Sequence, residues 1–422
     1  MATIRPFKGI RYRGTQPLSD QITQPYDKVT PELRTLYLQR SPHNLVRVIL
    51  PDEQDAARHA TDKYAFAAQL FREWLAAGVL AQDDAPGFYP YRQTFTIHGA
   101  THQRTGFIGL CKIEEYAARI VFPHERTLAK PKADRLSLLR ACRTHLELIF
   151  FLYNDDGTAQ PVLERCMNAP ALTVADDDFQ VRNELWRLSD PAAVSKVQHA
   201  LADKQLFIAD GHHRYETSLN FAHENPADAA AQFTLGVFVN ISPQLVVLPT
   251  HRSVFGLPAY DRAKLHATLG LNFRLAPQPS LAATLAAVNA PPEIITIGCF
   301  DGAEFFTATL RETHAMAAAA PNHSEPWRHL DVAVLHALII ERALGITPDR
   351  VEQEAGVGYH RDPQEALARV TSGAAHCAFF LRATRPAQVC SVAHHGEVMP
   401  QKSTDFYPKA LSGLVMYALD AR

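Results

Sequence analysis

The sequence lacks the features that mark membrane-spanning, secreted and broadly nucleic-acid-binding proteins. No apolar run reaches the ~18 residues of a membrane-spanning helix, and residues 1–9 contain Arg5 and Lys8 but no apolar signal core. The 42 basic residues nearly balance the 44 acidic ones, which gives a formal net charge of −2 without a basic block or an acidic tail. We therefore expect no membrane partner and no nucleic-acid partner, although a small basic cleft is compatible with a neutral total.

Cysteine is scarce and irregularly spaced. The six cysteines form no C-x-x-C pair; they are Cys111, Cys142, Cys166, Cys299, Cys377 and Cys390. This spacing favours reduced, mostly buried thiols over a disulfide framework or a zinc knuckle. With 47% hydrophobic and 20% charged residues, the composition is that of a globular protein with room for two or three domains. We expect a cytoplasmic globular protein.

Residues 206–215 are the most informative stretch of the chain, with the sequence LFIADGHHRY. The apolar run predicts a buried strand that ends at Asp210, and the helical spacing of apolar residues over 215–222 predicts a helix. The first turn of a helix offers N–H groups and the positive end of the dipole to an anion. Gly211 allows close approach to the backbone, and Arg214 can hold a phosphate with two parallel hydrogen bonds. The favoured interpretation is a phosphate site.

Two plainer interpretations of this stretch stay open. Asp210 and Gly211 together are also typical of an ordinary turn, and His212 and His213 of a solvated pair. The two histidines could instead bind a metal, but adjacent residues rarely point at one ion. No H-x-E or H-x-x-x-H partner accompanies them.

Four other segments carry dense polar chemistry: QPYD at 24–27, PHERT at 123–127, PTHR at 249–252 and MPQKST at 399–404. Each alone is typical of a solvated loop, but each is also interpreted as lying just past a strand end, where ligand sites in mixed sheets usually form. Together they would supply one pocket with cations and carboxylates, namely Arg126, Lys130, Arg214, Arg252 and Lys402, and Asp27, Glu125 and Asp210. Cations bind phosphoryl oxygens, and carboxylates hold Mg²⁺ or act as a general base, as phosphoryl transfer requires. Whether the segments converge is not fixed by sequence.

Local patterns predict the remaining elements. Strands are predicted over 44–50, 89–97, 104–113, 146–153, 233–240, 245–248, 293–300, 304–310, 377–382 and 388–393. Helices are predicted from Pro31, with Thr30 as N-cap, and over 52–77, 136–142, 331–344 and parts of 259–290. Helices mixed with hairpins predict an α+β fold with mixed sheets. We place a seam after residue 256, which gives portions 1–256 and 257–422, and the last segment of the second can return to the site.

The chain resembles a bacterial and archaeal family known as domain of unknown function 1015. The resemblance rests on seven motifs in order: RPFKG at 5–9, PYD at 25–27, SPHN at 41–44, PHERT at 123–127, ADGHHRY at 209–215, PTHR at 249–252 and MPQKST at 399–404. They extend over nearly the whole chain. One departure is Lys28, which follows Asp27 where an apolar residue is expected.

The loop at 210–214 is in turn similar to the phosphate-binding loop of the partition-protein-B (ParB) and sulfiredoxin superfamily. Proteins with that loop hold nucleotide phosphates as CTPase switches, as ATP-dependent sulfinate reductases or as kinases of free serine. The resemblance implies a ParB/sulfiredoxin-like core in residues 1–256 and an α/β portion after it. It also implies Mg²⁺-dependent phosphoryl transfer to a small hydroxylated metabolite, with free L-serine as the leading acceptor. The donor would be ATP, ADP or pyrophosphate.

This hypothesis gives each candidate residue a role. The donor phosphate would be held by Gly211, His212, His213 and Arg214, and developing charge would be neutralised by Arg126, Lys130, Arg252 and Lys402. The catalytic candidates are Asp210, Glu125 and His212; either carboxylate could be the base, and Asp210 could instead bind Mg²⁺. The acceptor would be bound by Tyr26, Asp27, Thr127 and Ser403.

Two other function classes stay open. A nucleotide-binding regulator or CTPase-like switch would hydrolyse nucleotide slowly and change its assembly state, but no helix-turn-helix is evident. A metal-dependent hydrolase would use His124, His212, His213 and His251 and would carry stoichiometric zinc or iron. The identities of donor and acceptor and the oligomeric state are left undetermined.

Overall fold

A computed structural model describes residues 1–59, 61–97, 99–290, 293–353 and 355–420 of the chain. It confirms the α+β class, with helices among mixed and antiparallel sheets. The strands are β1 Ile4–Arg5, β2 Ile10–Tyr12, β3 Leu80–Gln82, β4 Tyr89–Ile97, β5 Ala100–Lys112, β6 Val121–Phe122, β7 Thr144–His145, β8 Ile149–Tyr153, β9 Thr173–Asp176, β10 Arg182–Leu185, β11 Leu206–Asp210, β12 Phe233–Asn240, β13 Val246–Leu248, β14 His251–Val254, β15 Phe273–Gln278, β16 Thr296–Phe300, β17 Phe305–Leu310, β18 Val357–His360, β19 Cys377–Phe380, β20 Asp405–Tyr407 and β21 Tyr417–Ala418.

Most helices are short. They are α1 Pro31–Arg40, α2 Val46–Ile49, α3 Glu53–Arg58, α4 Lys63–Ala76, α5 Ala129–Cys142, α6 Gln160–Met167, α7 Pro191–Leu201, α8 His212–Glu224, α9 Arg262–Asn272, α10 Leu281–Asn289, α11 His314–Ala319, α12 Glu325–Arg328, α13 Asp331–Val334, α14 Pro348–Glu352, α15 Pro363–Thr371 and α16 Pro386–His394. Three 3₁₀ turns lie at Leu18–Asp20, Tyr26–Lys28 and Tyr116–Ala118, and a π-helix at Leu335–Ala343. Within the described ranges, no helix has both the length and the apolar character to cross a membrane.

The chain forms two compact units. The first unit contains Met1–Pro123, Thr127–Leu245 and the described residues from Pro408 onward, and the second contains His124–Arg126 and Val246–Tyr407. The change of unit therefore falls after Leu245 and not after residue 256. The chain also leaves the first unit for three residues inside the PHERT motif.

A nine-stranded mixed sheet forms the centre of the first unit. Its order is β6-β11-β8-β12-β5-β4-β10-β9, and β1 pairs with β5. The β6–β11 and β8–β12 pairs are parallel, and the others are antiparallel. The ring of Phe238 on β12 stacks on the rings of Phe107 of β5 and Phe151 of β8, with centroid distances of 5.0 Å and 5.3 Å, respectively. Such cross-strand aromatic pairs stabilise the packing of β5, β12 and β8, the strand that pairs with β11.

The second unit is built on a six-stranded antiparallel sheet. Its order is β15-β17-β16-β19-β14-β18, and β13 and β20 form a separate pair. The hairpin predicted around Asp301 and Gly302 is confirmed as β16 and β17, with Gly302 at φ 98°. The predicted helix over 331–344 is also confirmed, but from Leu335 its turns widen into the π-helix. Gly345, at φ 72°, follows its end.

Three of the predicted elements are wrong. Residues 44–50 contain the buried helix α2, Val46–Ile49, and not a strand, because the Asn44 side chain accepts from Val46 N at 2.9 Å and starts a turn. Residues 388–393 belong to helix α16, which Pro386 and a capping interaction to Gln388 begin. The single helix expected over 52–77 is two helices, because Asp62 caps a new one at Lys63.

Candidate functional site

The loop between β11 and α8 has the predicted strand–glycine–helix geometry. The strand ends at Asp210, Gly211 adopts φ 94° and ψ 29°, and α8 begins at His212. A Cβ on residue 211 would lie 3.0 Å from Nε of Arg214, so glycine is needed for both the left-handed backbone and the close guanidinium. The positive end of the helix dipole lies at this first turn. The loop therefore has the geometry of an anion-binding helix terminus.

Asp210 lies between two cations. Its Oδ2 accepts from Nη2 of Arg214 at 2.7 Å, and its Oδ1 accepts from Nζ of Lys409 at 3.1 Å. Burial alone would raise the pKa of Asp210, but the charges of Lys409 and Arg214 hold that pKa well below its usual range. The carboxylate therefore stays ionised and holds both cations in place. A carboxylate of such low basicity is a poor general base.

Arg214 is fixed on two sides. It is buried, with 8% of its surface exposed, and its Nη1 donates to the carbonyl of Leu148 while Nη2 donates to Asp210. Burial would lower the pKa of Arg214, but the charge of Asp210, with smaller effects of Glu147 and Asp27, raises it above its ordinary value. Its position at the start of α8 is therefore set before any ligand binds.

Lys409 is a member of this cluster that the sequence analysis missed. Gln93 Nε2 donates to its backbone carbonyl at 2.9 Å, and Arg104 donates to the carbonyl of Pro408 at 2.6 Å. These bonds bind the C-terminal segment to β4 and β5, so Lys409 reaches Asp210 from a distant part of the sequence. The signal in the sequence was Lys409 itself, the single charged residue in the mostly apolar stretch 406–419.

The 3₁₀ turn Tyr26–Lys28 lies in the electrostatic field of the same cluster. Tyr26 N donates to Oε1 of Glu147 at 3.0 Å. The charge of Asp27 raises the pKa of Arg214, and the charge of Lys28 lowers the pKa of Asp210. Asp27 is exposed, and its carboxylate makes no hydrogen bond or ion pair to another described residue. It is an accessible carboxylate within electrostatic range of Arg214.

The segment after the PHERT motif is attached to α8. Leu128 N donates to Nε2 of His213 at 2.8 Å, and the Thr127 hydroxyl donates to Glu216 at 2.6 Å. His213 thus uses one ring nitrogen as an acceptor, and His212 is 5% exposed. Lys130 lies exposed in the first turn of α5. Among the predicted residues of the first unit, Tyr26 and Asp27 interact electrostatically with Arg214 of the loop. Thr127 is hydrogen-bonded to Glu216 of helix α8.

The other predicted residues lie in the second unit: Glu125, Arg126, Arg252, Lys402 and Ser403. Arg252 is only 1% exposed, and its Nη2 donates to the carbonyls of Gln401 at 3.1 Å and Lys402 at 2.9 Å. Burial lowers its pKa to about 10, although Tyr359 and Glu125 raise it. Both Nη atoms donate to backbone carbonyls and the side chain is buried, so in the structure Arg252 holds the MPQKST loop and does not present a cation to solvent.

The MPQKST loop exposes Lys402 in a strained conformation. Lys402 has φ 55°, a left-handed value that costs a non-glycine residue about 1 kcal/mol or more. The hydroxyl of Ser403 donates to the carbonyl of Pro400, and Nε2 of His124 lies 2.8 Å from the Thr404 hydroxyl. Arg126, 75% exposed along its side chain, pairs with Glu352 at 3.0 Å. Strain of this kind is often retained where a side chain has a function.

The histidines and the carboxylate predicted as metal ligands are not arranged as a metal site in the part of the chain that the structure describes. Among the described residues, no group of three or more His, Cys, Asp or Glu side chains is arranged to hold a metal ion. Of the four histidines considered as ligands, His212 and His213 lie in the first unit and His124 and His251 in the second. Both oxygens of Asp210 face cations, so Asp210 does not suit a divalent ion.

A family model described as "Protein of unknown function (DUF1015)" matches residues 4–333 of the chain. No curated protein matches the chain significantly.

Three solved structures illustrate what the fold is similar to. A free serine kinase in complex with AMP is 13% identical with a TM-score of 0.34, covering 69% of this chain and 86% of that one. A conserved hypothetical protein from Pyrococcus furiosus is 13% identical with a TM-score of 0.33, covering 69% and 90%. SbnI with a C-terminal truncation, from Staphylococcus aureus, is 10% identical with a TM-score of 0.33, covering 72% and 85%. At TM-scores this low, the function has to be argued from the chain's own residues.

Proposed function

Because the chain belongs to the DUF1015 family of unknown function, we propose an activity from the first unit's own site. The proposal is a phosphotransferase that binds a phosphoryl donor at residues 210–214 and phosphorylates a small hydroxylated metabolite. One observation carries it: Asp210 holds Arg214 and Lys409 at the N-terminus of α8. Fixed cations beside a helix N-terminus stabilise phosphate charge without reorganising during the reaction.

The donor phosphates would bind at the first turn of α8. Backbone N–H groups would contact phosphoryl oxygens, as at other helix termini that bind phosphate, and Gly211 leaves the approach open. Arg214 and Lys409 would neutralise the charge that develops on the transferred group. Asp210 would keep both cations oriented and would not itself react, because the two ion pairs hold its pKa low. The donor would be ATP, ADP or pyrophosphate.

The general base is then a different carboxylate. A base must be accessible and able to take up a proton near the operating pH. Asp27 meets the first condition, since it is exposed and lies in the field of Arg214. We assign it this role in place of Asp210. Glu125, in the second unit, is retained as the other candidate.

Mg²⁺ is proposed to enter with the donor. Since Mg²⁺ is usually held largely by substrate phosphates and water, the donor's own oxygens would provide most of its ligands, and Asp27 keeps the role of the base. The ion would offset the negative charge of the donor phosphates. Orientation of the donor and removal of the acceptor's proton are assigned to protein side chains. Free L-serine is the first acceptor to test, because the loop resembles that of free serine kinases.

The test is phosphorus NMR of the purified protein with Mg²⁺ and L-serine, supplied separately with ATP, ADP and pyrophosphate. A phosphoserine signal with one donor would establish the reaction and identify the donor. Donor hydrolysis without phosphoserine would keep the phosphate site and direct the work to other hydroxylated acceptors. If no donor bound or reacted, the proposal would be abandoned.

A further inference from the structure

A partly open polar cavity is lined by residues of helices α5 and α8 and of strands β7, β8 and β12. Its volume is about 50 Å³, and its polar lining is provided chiefly by Arg135, His145, Glu147, Arg214, Thr217 and Ser218. All of these residues belong to the first unit. The cavity is therefore part of one compact body and shares Arg214 with the loop at 210–214.

Three buried polar atoms lining this cavity have no hydrogen-bond partner within the described part of the chain. They are Nε of Arg214, Oγ1 of Thr217 and Nε2 of His145. The three residues are 8%, 3% and 8% exposed, respectively. A buried polar atom left unsatisfied costs about 1–3 kcal/mol. Three of them around one cavity therefore indicate a bound polar species.

The charges around the cavity indicate whether the bound species is charged or neutral. Arg214 is paired with Asp210, and Arg135 is paired with Asp134 and lies 3.4 Å from Glu147. Burial lowers the pKa of His145 to about 4, despite a hydrogen bond to the Phe233 backbone that raises it, so the imidazole is uncharged at neutral pH. With the cations paired and the imidazole neutral, neither an anion nor a cation is required.

We propose that the cavity binds one or two water molecules that bridge Arg214, Thr217 and His145. Water suits the volume, because one water needs about 10–15 Å³ of such space, and a buried water makes about three hydrogen bonds. It can accept from Nε of Arg214 and either donate to or accept from the Thr217 hydroxyl. It can pair with His145 in either tautomer.

The bound water completes the fixation of Arg214. Nη1 is held by Leu148 and Nη2 by Asp210, and the water holds Nε, so every nitrogen of the guanidinium has an acceptor. This positioning role rests on the proposed phosphate site, whereas the water site itself does not. Thr217 and His145 are thus positioning residues that act through Arg214.

The test is a crystal structure of the full chain, compared with Thr217→Val, which removes the hydroxyl at nearly constant volume. We expect wild-type density about 2.6–3.2 Å from Nε of Arg214 and Oγ1 of Thr217, and weaker or missing density in the variant. Wild-type crystals without this density would overturn the proposal. A peak for bromide in the cavity after a soak would also overturn it, because it would identify an anion site.

A binding measurement with pyrophosphate adds a separate readout. Thr217→Val should raise the dissociation constant about three- to tenfold. Thr268→Val, at a half-buried threonine of α9 whose hydroxyl donates to the carbonyl of Lys264, should leave it unchanged. Ordered water without any pyrophosphate binding would support the water site and count against the phosphotransferase. Binding that is unaffected by Thr217→Val would contradict the positioning role while leaving the phosphotransferase intact.

Discussion

Lys409 and Asp210 form an ion pair at 3.1 Å across 199 positions of sequence. The pair is almost inaccessible, because the side chains of Lys409 and Asp210 are 8% and 19% exposed. In surroundings of this kind a charge is retained only when its partner is in place. The C-terminal segment is therefore part of the loop's electrostatics as well as of the fold.

The first prediction concerns Lys409→Met, which keeps the length of the side chain and removes its charge. We expect turnover with the active donor to fall about 10²-fold. Stability should fall by about 1–3 kcal/mol, because Asp210 would keep only one cation. Steady-state kinetics and urea unfolding measure the two effects. Lys112→Met, at a half-exposed lysine paired with Glu114, is the matched control, and equal turnover losses in both variants would contradict the assignment.

The second prediction separates backbone strain from displacement of Arg214. Gly211→Ala places a methyl group 3.0 Å from Nε of Arg214 at φ 94°, whereas Gly157→Ala has the same strain at φ 98° with nothing within 4 Å. Both variants should lose about 1–2 kcal/mol of stability. Only Gly211→Ala should weaken donor binding, by about tenfold or more, as measured by calorimetry. Unchanged donor affinity in Gly211→Ala would show that Arg214 does not contact the donor.

The third prediction tests Asp27 as the base. Asp27→Asn should lower kcat by about 10²–10⁴-fold, because the amide cannot accept the acceptor's proton. Donor affinity and thermal stability should stay near wild type, since Asp27 is exposed. Asp203→Asn, at a carboxylate with 65% side-chain exposure, is the control. If kcat survives in Asp27→Asn and collapses in Glu125→Gln, the base is Glu125.

The fourth prediction uses the strained Lys402. Lys402→Gly should stabilise the protein by about 1 kcal/mol, because glycine adopts φ 55° without strain. If the exposed ammonium helps to bind the donor, as the sequence analysis proposes, turnover should fall at the same time. Gln180→Gly removes a similar strain at φ 58° and should stabilise the protein without loss of turnover. Full activity in Lys402→Gly would remove Lys402 from the proposed site.

The fifth prediction concerns acid unfolding. Burial lowers the pKa of His336 to about 3, with a smaller contribution from Arg252. Since its unfolded pKa is about 6.5, only the unfolded chain binds the proton between pH 6.5 and 3. His336 therefore contributes stability that is fully present above pH 6.5 and is lost as pH falls, by about 1.4 kcal/mol per unit.

Urea unfolding at several pH values measures this slope. His336→Met should reduce the slope by about 1.4 kcal/mol per pH unit between pH 6 and 4. His314→Gln, at a histidine whose side chain is 77% exposed, controls for the loss of an imidazole. Two other buried histidines, His145 and His251, have pKa values lowered to about 4 mainly by burial and should act in the same direction. A slope unchanged in His336→Met would show that His336 does not titrate in this way.

The sequence was sufficient where local chemistry decides the structure. Consecutive residues determine the strand, glycine and helix around Gly211, and the same is true of the hairpin at Asp301. It failed at residues 44–50, where an apolar run is equally typical of a buried strand and of helix α2. It also failed at 388–393, where the capping by Arg385 outweighed β-branched residues.

The candidate site was less predictable than the fold, because its electrostatics depend on distant partners. Nothing local to Asp210 shows that Lys409 would take one of its oxygens. Nothing near Arg252 shows that its donors would be used by the carbonyls of residues 401 and 402. A cation in a motif could therefore be named from the sequence, but whether it faces a ligand or the protein's own backbone required the three-dimensional arrangement.

The path of the chain through the two units constrains how the protein is made. The ribosome completes the whole of the second unit before it synthesises Pro408 and the residues after it, yet β21 and Lys409 belong to the first unit. All nine strands of its central sheet lie within residues 4–240 and precede the main segment of the second unit, Val246–Tyr407, in synthesis. Pairing of β21 with β7 and of Lys409 with Asp210, in contrast, has to follow the synthesis of the second unit.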